Sequence, residues 1–415
     1  MALKSCAKVA LPCKFAILTV VKILGIESSC DETAASVVED GRRPLSNVVH
    51  TQIDIHAQYG GVVPEVAARS HIEVINPVIN QALAEAGCTW GDIDAIAVTY
   101  APGLIGSLLV GTLAARTLAL IHNKPLYPIH HVEAHVYANF IVEKQESEAI
   151  PDTNRNPQPH IDRASGPLLD AGSRQPASIT GALNDLELPT KQPTFPMLAL
   201  IVSGGHTQLA LFHDHGKYEL LGQTQDDAVG EAFDKVAKII GLPYPGGPSI
   251  AKAALDGDPQ KYKLPKARLQ NPYDFSFSGL KTALLRAVQH ETGNDYTFPS
   301  HELPALLDDV QRADFAASFQ HVAIETLVDK AVKAFRDHSP AAVVIAGGVA
   351  ANQELRRQLR ERLPINIEYA PMQLCTDNAA MIATLGYYYS QKKDPVSPFE
   401  LEVIPSLSMA KTAWA

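Results

Sequence analysis

Cysteine is scarce in this chain of 415 residues. The five present, Cys6, Cys13, Cys30, Cys88 and Cys375, are an odd number with no Cys-x-x-Cys pair. Neither a disulfide framework nor a cysteine zinc site is expected, and a reducing compartment fits best. Charge is also sparse, at 19%, and leans acidic: 35 Lys and Arg against 45 Asp and Glu, a formal net charge of -10. That balance argues against a free-standing nucleic-acid binder, so any nucleic acid needs a local basic patch or a partner's help. The apolar run from Phe15 to Val21 is too short to cross a bilayer, and no membrane association is expected. No GxxxxGK[ST] and no GxGxxG occurs, so neither a P-loop nor a dinucleotide fingerprint is available.

What is present is ample core material, with 46% hydrophobic residues in a chain longer than one core usually supports; two lobes are the starting expectation. Residues 1–22 carry four lysines and no acids and read as an extension: a presequence, an upstream start or a disordered tail. The chain is expected in the cytoplasm, or in an organelle if that extension is a presequence. From Ile23, ILGIESS and AASVVED read as two strands of a hairpin. VAARSHIEVINPVINQALAEAG has helical spacing, IDAIAVTY is a buried strand, and APGLIGSLLVG turns into an apolar helix. Residues 23–140 form the expected first lobe. Residues 141–195, rich in Pro, Ser, Asn and charge, read as an insertion. Residues 196–390 repeat the strand, Gly-rich turn and helix design as a second lobe, whose last helices could pack back on the first, and 391–415 form a tail. The fold class expected is α/β, with duplicated mixed-sheet lobes and a cleft between them.

His131-Val132-Glu133-Ala134-His135 places two imidazoles one helical turn apart, a spacing compatible with one metal ion and equally with hydrogen-bonded surface histidines. A zinc peptidase wants Glu directly after the first His; Glu133 sits two residues on, about 200° round the helix, and points away. A third ligand must come from elsewhere. Asp377, in a turn before an apolar helix, is the best candidate, although an N-cap role would explain it as well. Cys375 is a further candidate ligand. Two imidazoles and a carboxylate leave positions open for a substrate oxygen on divalent iron or zinc.

Three glycine clusters, Ser203-Gly204-Gly205-His206, Pro245-Gly246-Gly247-Pro248 and Gly347-Gly348-Val349-Ala350-Ala351-Asn352, lie next to strand or helix starts. Together they favour a nucleotide or acyl-phosphate site, since glycine lets backbone N–H groups approach an anion. Asp234 either accepts ribose hydroxyls or pairs with Lys238 one turn on.

Taken together, GIESSCDETAASVV, YGGVVPEVAARSH, APGLIGSLLVG, HHVEAH, VSGGHTQL, DDAVGEAFDKVAKIIGLPYPGGP, FSFSGLKTA, AGGVAAN and CTDNAAMIA resemble the TsaD proteins, bacterial and organellar tRNA threonylcarbamoyladenosine transferases of the actin-like ATPase superfold. The resemblance runs from about Ile23 to Gly386. It implies an acyltransferase that moves a threonylcarbamoyl group from threonylcarbamoyl-AMP to N6 of adenosine 37, in tRNAs reading codons that begin with A. The implied metal ligands are His131, His135 and Asp377, with Fe2+ expected and Zn2+ the alternative. Implied substrate contacts are Val202, Ser203, Gly204, Gly205, His206, Asp234, Gly247 and Asn352. Implied partners are a TsaB-like paralogue and a TsaE-like ATPase, or a second copy of the chain if it is of organellar type.

The activated anhydride needs positioning more than power, with charge growing on the carbamoyl oxygen and the departing AMP. A carboxylate at the first strand tip, Glu27 first and Asp31 second, is the expected base for the amine proton; a structural role for Glu27 is the competing reading. For tRNA phosphates the nearest basic segments are 261–268 and 356–362. A sugar-kinase relative, a metallopeptidase and a nonenzymatic scaffold are the competing classes. The first has no use for the histidine pair, and the second is poorly served by Glu133.

Overall fold

The computed structural model describes residues 20–142, 177–178, 188–365, 367 and 369–411. Most of the expected N-terminal extension and of the 141–195 insertion therefore lies outside the described residues.

The first part of the chain runs β1 (Lys22–Glu27), β2 (Glu32–Glu39), β3 (Arg43–Pro44), β4 (Val48–Thr51), α1 (Ile53–Ala57), α2 (Pro64–Glu85), β5 (Ala95–Ala101), α3 (Ile105–His122), β6 (Leu126–His130) and α4 (His131–Tyr137). With β7 (Ala177–Ser178) these strands form one sheet in the order β6-β5-β1-β2-β4-β7, β3 pairing on β2. The second part runs β8 (Met197–Val202), β9 (Thr207–Asp214), β10 (Lys217–Gln223), α5 (Val229–Ile240), α6 (Gly246–Ala253), α7 (Ser278–Glu291), α8 (Asp309–His338), β11 (Ala342–Ala346), α9 (Gln353–Arg362), α10 (Met372–Cys375) and α11 (Ala379–Ser390). Its sheet has the order β10-β9-β8-β11.

The two sheets share one plan. In each, the first strand pairs antiparallel with the second and parallel with a later strand, β1 with β2 and β5, β8 with β9 and β11. A third antiparallel strand, β4 or β10, extends the outer side. This is the duplicated, two-lobed actin-like architecture. The inner strands read as continuous apolar runs because both faces are covered: all six residues of MLALIV in β8 are buried, as sheets packed on both sides require.

Helix α11, near the end of the chain, lies on the first sheet. A Cβ at Gly25 in β1 would come within 2.4 Å of the Ala379 carbonyl oxygen and 2.7 Å of the Ala383 nitrogen. Only glycine admits so close an approach. That contact carries the residues just before α11, Asp377 among them, to the first lobe.

Two boundaries differ from expectation. The extension ends before residue 22: Lys22 already pairs with Glu39, and the Val21 N–H donates to Asp40 Oδ1 at 2.9 Å. The segment read as a tail is a strap over the first lobe through its described part. Val396 N donates to Leu126 O, Ile404 N to Tyr100 O, and Arg116 Nε to Pro398 O. Hydrogen bonds to the strap's main chain, which no side-chain periodicity reveals, hold it there. Helix α3 packs its inner face on the sheet and leaves Ile105, Leu109, Leu113, Leu120 and Ile121 exposed on the outer one.

Candidate metal centre

Strand β6 runs directly into α4, so His131 and His135 sit on the first turns of a helix whose seven residues are all buried. Asp377 reaches them from the other end of the sequence. Its Oδ1 lies 3.3 Å from His135 Nε2 and 3.6 Å from His131 Nε2. One ligand atom from each of the three residues lies within 4.8 Å of the others, spacing that ~2 Å metal–ligand bonds would span. Apart from Asp377, the buried His135 Nε2 meets no hydrogen-bond partner, as an imidazole poised for an ion would be. Asp377 is 21% exposed, leaving one side open. The three residues therefore fit a divalent ion.

The N-cap alternative for Asp377 does not hold. Asn378 caps α11, its side chain accepting from Met381 N at 3.1 Å, while its Nδ2 donates to Thr376 O at 2.8 Å. With the cap filled by its neighbour, the Asp377 carboxylate is free to face the imidazoles. Cys375 is turned elsewhere, its thiol donating to Ala370 O at 3.5 Å and accepting from Arg356.

Glu27, expected to face the groove, is fully buried. Its Oε2 accepts from Thr99 Oγ1 at 2.6 Å and lies 3.0 Å from His131 Nδ1, and its Oε1 accepts from Ser29 N at 2.5 Å. Strand β1 ends with this side chain pointing beneath the histidines. Its oxygens are engaged by the protein, so it orients His131 rather than meeting substrate. Asp31, the second candidate, is half-buried in the turn beyond β1; burial and then the Asp31 charge push the Tyr244 hydroxyl up. Neighbouring Glu32 is pushed well up by burial and then by Asp31.

The charges are mutually supporting. Burial works against a proton on His131, but Asp377 and Glu27 outweigh it and lift the ring to about 9. Burial also opposes the Asp377 charge, yet His131 and His135 hold it well below the usual carboxylate range. His206 behaves oppositely: burial, then the nearby His131 and His135, push it down to about 3, so it stays neutral beside the triad. Glu133 faces away, its Oε2 accepting from Tyr389 OH at 3.0 Å and Tyr218 OH at 3.3 Å. It offers no base to the histidine side of α4.

Two of the glycine clusters, 203–206 and 347–352, meet next to the triad. A Cβ on Gly348 would stand 4.0 Å from Thr376, the residue before Asp377, and one on Gly347 would strike Val202 O at 2.5 Å. Val202 ends β8 fully buried and Ser203 is nearly so, whereas Gly204 and Gly205 are exposed. A Cβ at Gly204, Gly205 or Gly247 would meet nothing within 4 Å: glycine there leaves backbone open to a ligand rather than satisfying packing. Asp234 Oδ1 accepts from Gly246 N at 2.6 Å, so it braces the turn that presents Gly247, and its nearest described partner is that amide rather than Lys238. Asn352 caps α9, accepting from Leu355 N at 3.1 Å, and its Nδ2 donates to Gln320 at 2.9 Å.

Gly230 was not singled out by the sequence. The N–H groups of Gly230 and Glu231 donate to Ser203 O and Gly204 O at 3.2 and 3.1 Å, pinning the start of α5 to the 203–206 turn. Thr99 was missed likewise, because its role depends on the pairing of β5 beside β1. The basic segments also look different in place. In 356–362, Arg356 turns inward to Ala350 O at 2.7 Å, Arg357 pairs with Glu354 and Glu361, and Arg362 with Asp329. In 261–268, an irregular loop, Lys266 pairs with Glu325 and Asp329.

A duplicated, two-lobed α/β scaffold thus carries a histidine–carboxylate triad that fits a divalent ion, near glycine turns with open backbone. The TsaD family model, described as tRNA N6-adenosine threonylcarbamoyltransferase, matches residues 43–152 and 178–384, and the chain belongs to that family. The protein of that name from Thermomicrobium roseum is 47% identical over 377 residues, covering 89% of this chain and 92% of its own length. Its counterpart from Symbiobacterium thermophilum is 48% identical over 369 residues, covering 88% and 91%. Among solved structures, full-length HypF in its phosphate- and nucleotide-bound form is similar at a TM-score of 0.48 with 11% identity, covering 89% of this chain and 46% of its own.

Proposed function

We propose that the chain transfers a threonylcarbamoyl group from threonylcarbamoyl-AMP to N6 of adenosine 37, in tRNAs reading codons that begin with A. The observation that carries this reading is the meeting of His131, His135 and Asp377 next to the Gly347–Gly348 turn, which packs on Val202 and Thr376, with the backbone of Gly204 and Gly205 open beyond it. One side suits a divalent ion, Fe2+ first and Zn2+ second, and the other an adenylate phosphate. An ion held by the triad would supply Lewis-acid polarisation of a donor oxygen.

The chain's own residues do the rest. The amide groups of Gly204, Gly205 and Gly247 receive the AMP phosphate, while the Gly246 amide, engaged by Asp234, holds the second turn in place. His206, kept neutral, donates a hydrogen bond without adding charge to the triad. In the transfer, the N6 nitrogen bonds to the carbamoyl carbon, the carbon–oxygen bond to AMP breaks, and the N6 proton leaves to a carboxylate. With Glu27 engaged beneath His131, our reading gives that role to Asp31, the second candidate. Fixing donor and amine in one geometry supplies much of the rate.

A TsaB-like or TsaE-like subunit, or a second copy of the chain, belongs to the proposal; the uncovered apolar face of α3 supports such a partner. The test is to incubate the metal-loaded chain, alone and with such subunits, with unmodified tRNA and threonylcarbamoyl-AMP, and then digest the tRNA to nucleosides. Threonylcarbamoyladenosine should be found by mass spectrometry. Its absence under every combination would overturn the reading.

A further inference from the structure

The two halves of the candidate metal centre come from distant parts of the chain, and something must set one against the other to a fraction of an ångström. Asn139 occupies the short helical turn Ala138–Phe140 immediately after α4 and is 4% exposed. Its Nδ2 donates to Val136 O at 3.2 Å and to Ile345 O at 3.3 Å, and its Oδ1 accepts from Ala370 N at 3.3 Å. Val136 adjoins His135. Ile345 belongs to β11, which leads into the 347–352 glycine turn. Ala370 opens the segment that ends at Asp377, and Asn378 closes that segment from its other end through Leu374 O and Thr376 O.

One buried amide thus spends both N–H donors and its oxygen on the histidine helix, the second sheet and the aspartate loop. Other polar contacts from α4 reach the second sheet and α11, Glu133 to Tyr218 and Tyr389 and Tyr137 to His215, and apolar side chains such as Val132, Ala134 and Val136 add packing; Asn139 is the one tied to Ala370, at the start of the aspartate loop. Metal ligands tolerate errors of only about 0.2 Å.

We propose that Asn139 is a positioning residue of the metal site, setting the His131–His135 pair against Asp377. This rests on reading the triad as a divalent-metal site. Deleting either donor or acceptor leaves each half intact and their spacing loose, so metal affinity should fall by about 10-fold or more, the range seen when groups behind metal ligands are removed.

The test is titration of the ion-free full-length chain with Zn2+ against a competing chelator, and with Co2+ followed by its visible absorption. The variants are N139D, which keeps the acceptor and loses the donor, and N139S, whose smaller side chain admits water to the same groups and keeps the test open if N139D does not fold. V288A, a cavity on α7, which carries none of the triad, is the control for general loosening. The expected result is weakened binding in the Asn139 variants with an altered Co2+ spectrum, while V288A binds as the unaltered chain does despite its lower melting temperature. Unchanged affinity in N139S, or equal weakening in V288A, overturns the role of Asn139 alone. If the unaltered chain itself binds neither ion, the metal reading fails and this inference with it.

Discussion

Glu27 Oε2 and His131 Nδ1 stand 3.0 Å apart, on the ring edge opposite the Nε2 that faces Asp377. A carboxylate there keeps the proton on Nδ1 and leaves Nε2 for a metal. An E27Q variant should bind the ion about 10- to 100-fold more weakly, as equilibrium dialysis would measure. Near-normal transfer at saturating metal is expected of a residue that only orients the ring. A defect that excess metal does not repair would return Glu27 to the role of base.

Neighbouring residues at the start of α11 should separate cleanly. N378A removes the cap and should cost about 0.5–2 kcal/mol of stability. D377A takes away the carboxylate that faces the buried His131 and His135, so the ion-free chain should also lose stability near neutral pH, but it should abolish metal binding, which N378A should retain. Calorimetry on both ion-free variants and a Zn2+ titration of each check this, and a D377A protein that binds the ion as the unaltered chain does would contradict it.

Glu133 gives a pH signature. Burial pushes its carboxyl up to about 7 against an ordinary 4.5, although the Tyr389 hydroxyl, nearby Lys393 and the Tyr218 hydroxyl favour its charge. Below about pH 4.5 the group is protonated whether the chain is folded or not. Between about 4.5 and 7 the unfolded chain gives up the proton first, so stability falls as pH rises and stays low above 7. E133Q removes that loss. Relative to the unaltered chain it should gain up to about 3 kcal/mol between pH 4.5 and pH 8. Denaturant curves at the two pH values decide, and an unchanged difference would rule this assignment out.

Gly230 and Gly279 should respond in opposite directions. A Cβ on Gly230 would lie 2.6 Å from Ser203 O and 2.7 Å from Gly204 Cα, whereas one on Gly279 meets nothing within 4 Å. G230A should cost about 1–3 kcal/mol and weaken AMP binding by displacing the 203–206 turn. G279A, within α7, should gain about 0.5–1 kcal/mol and leave AMP binding unchanged. Calorimetric titration with AMP and thermal melts of both variants supply the comparison.

Much of the site could be read along the chain because its chemistry is local. The four-residue spacing of His131 and His135 is a helical turn, and the off-phase Glu133 follows from the same periodicity. The glycine turns at 203–206 and 246–247 stand where strands end or helices begin. Glu27 and Asp234 were harder, since a carboxylate's role depends on what meets it: Thr99 and His131 arrive at Glu27 from β5 and α4, and the Gly246 amide arrives at Asp234 from the next helix. Charge clusters depend on distant partners in the same way. Arg356 and Arg357 look like a basic patch in one dimension and are a turn anchor and an ion-paired side chain in three.

Periodicity, turn chemistry and residue type therefore determined the two repeated lobes, the histidine pair and the candidate anion turns, all of which depend on neighbours a few positions away. The tertiary structure decided which carboxylate faces the histidines, which lies beneath them, and how a helix near the C-terminus comes to complete a site in the first lobe. Those outcomes hang on backbone approach at Gly25, on a cap taken by Asn378 and on hydrogen bonds joining residues more than a hundred positions apart. Side-chain patterns record which face is buried, but not which distant partner buries it.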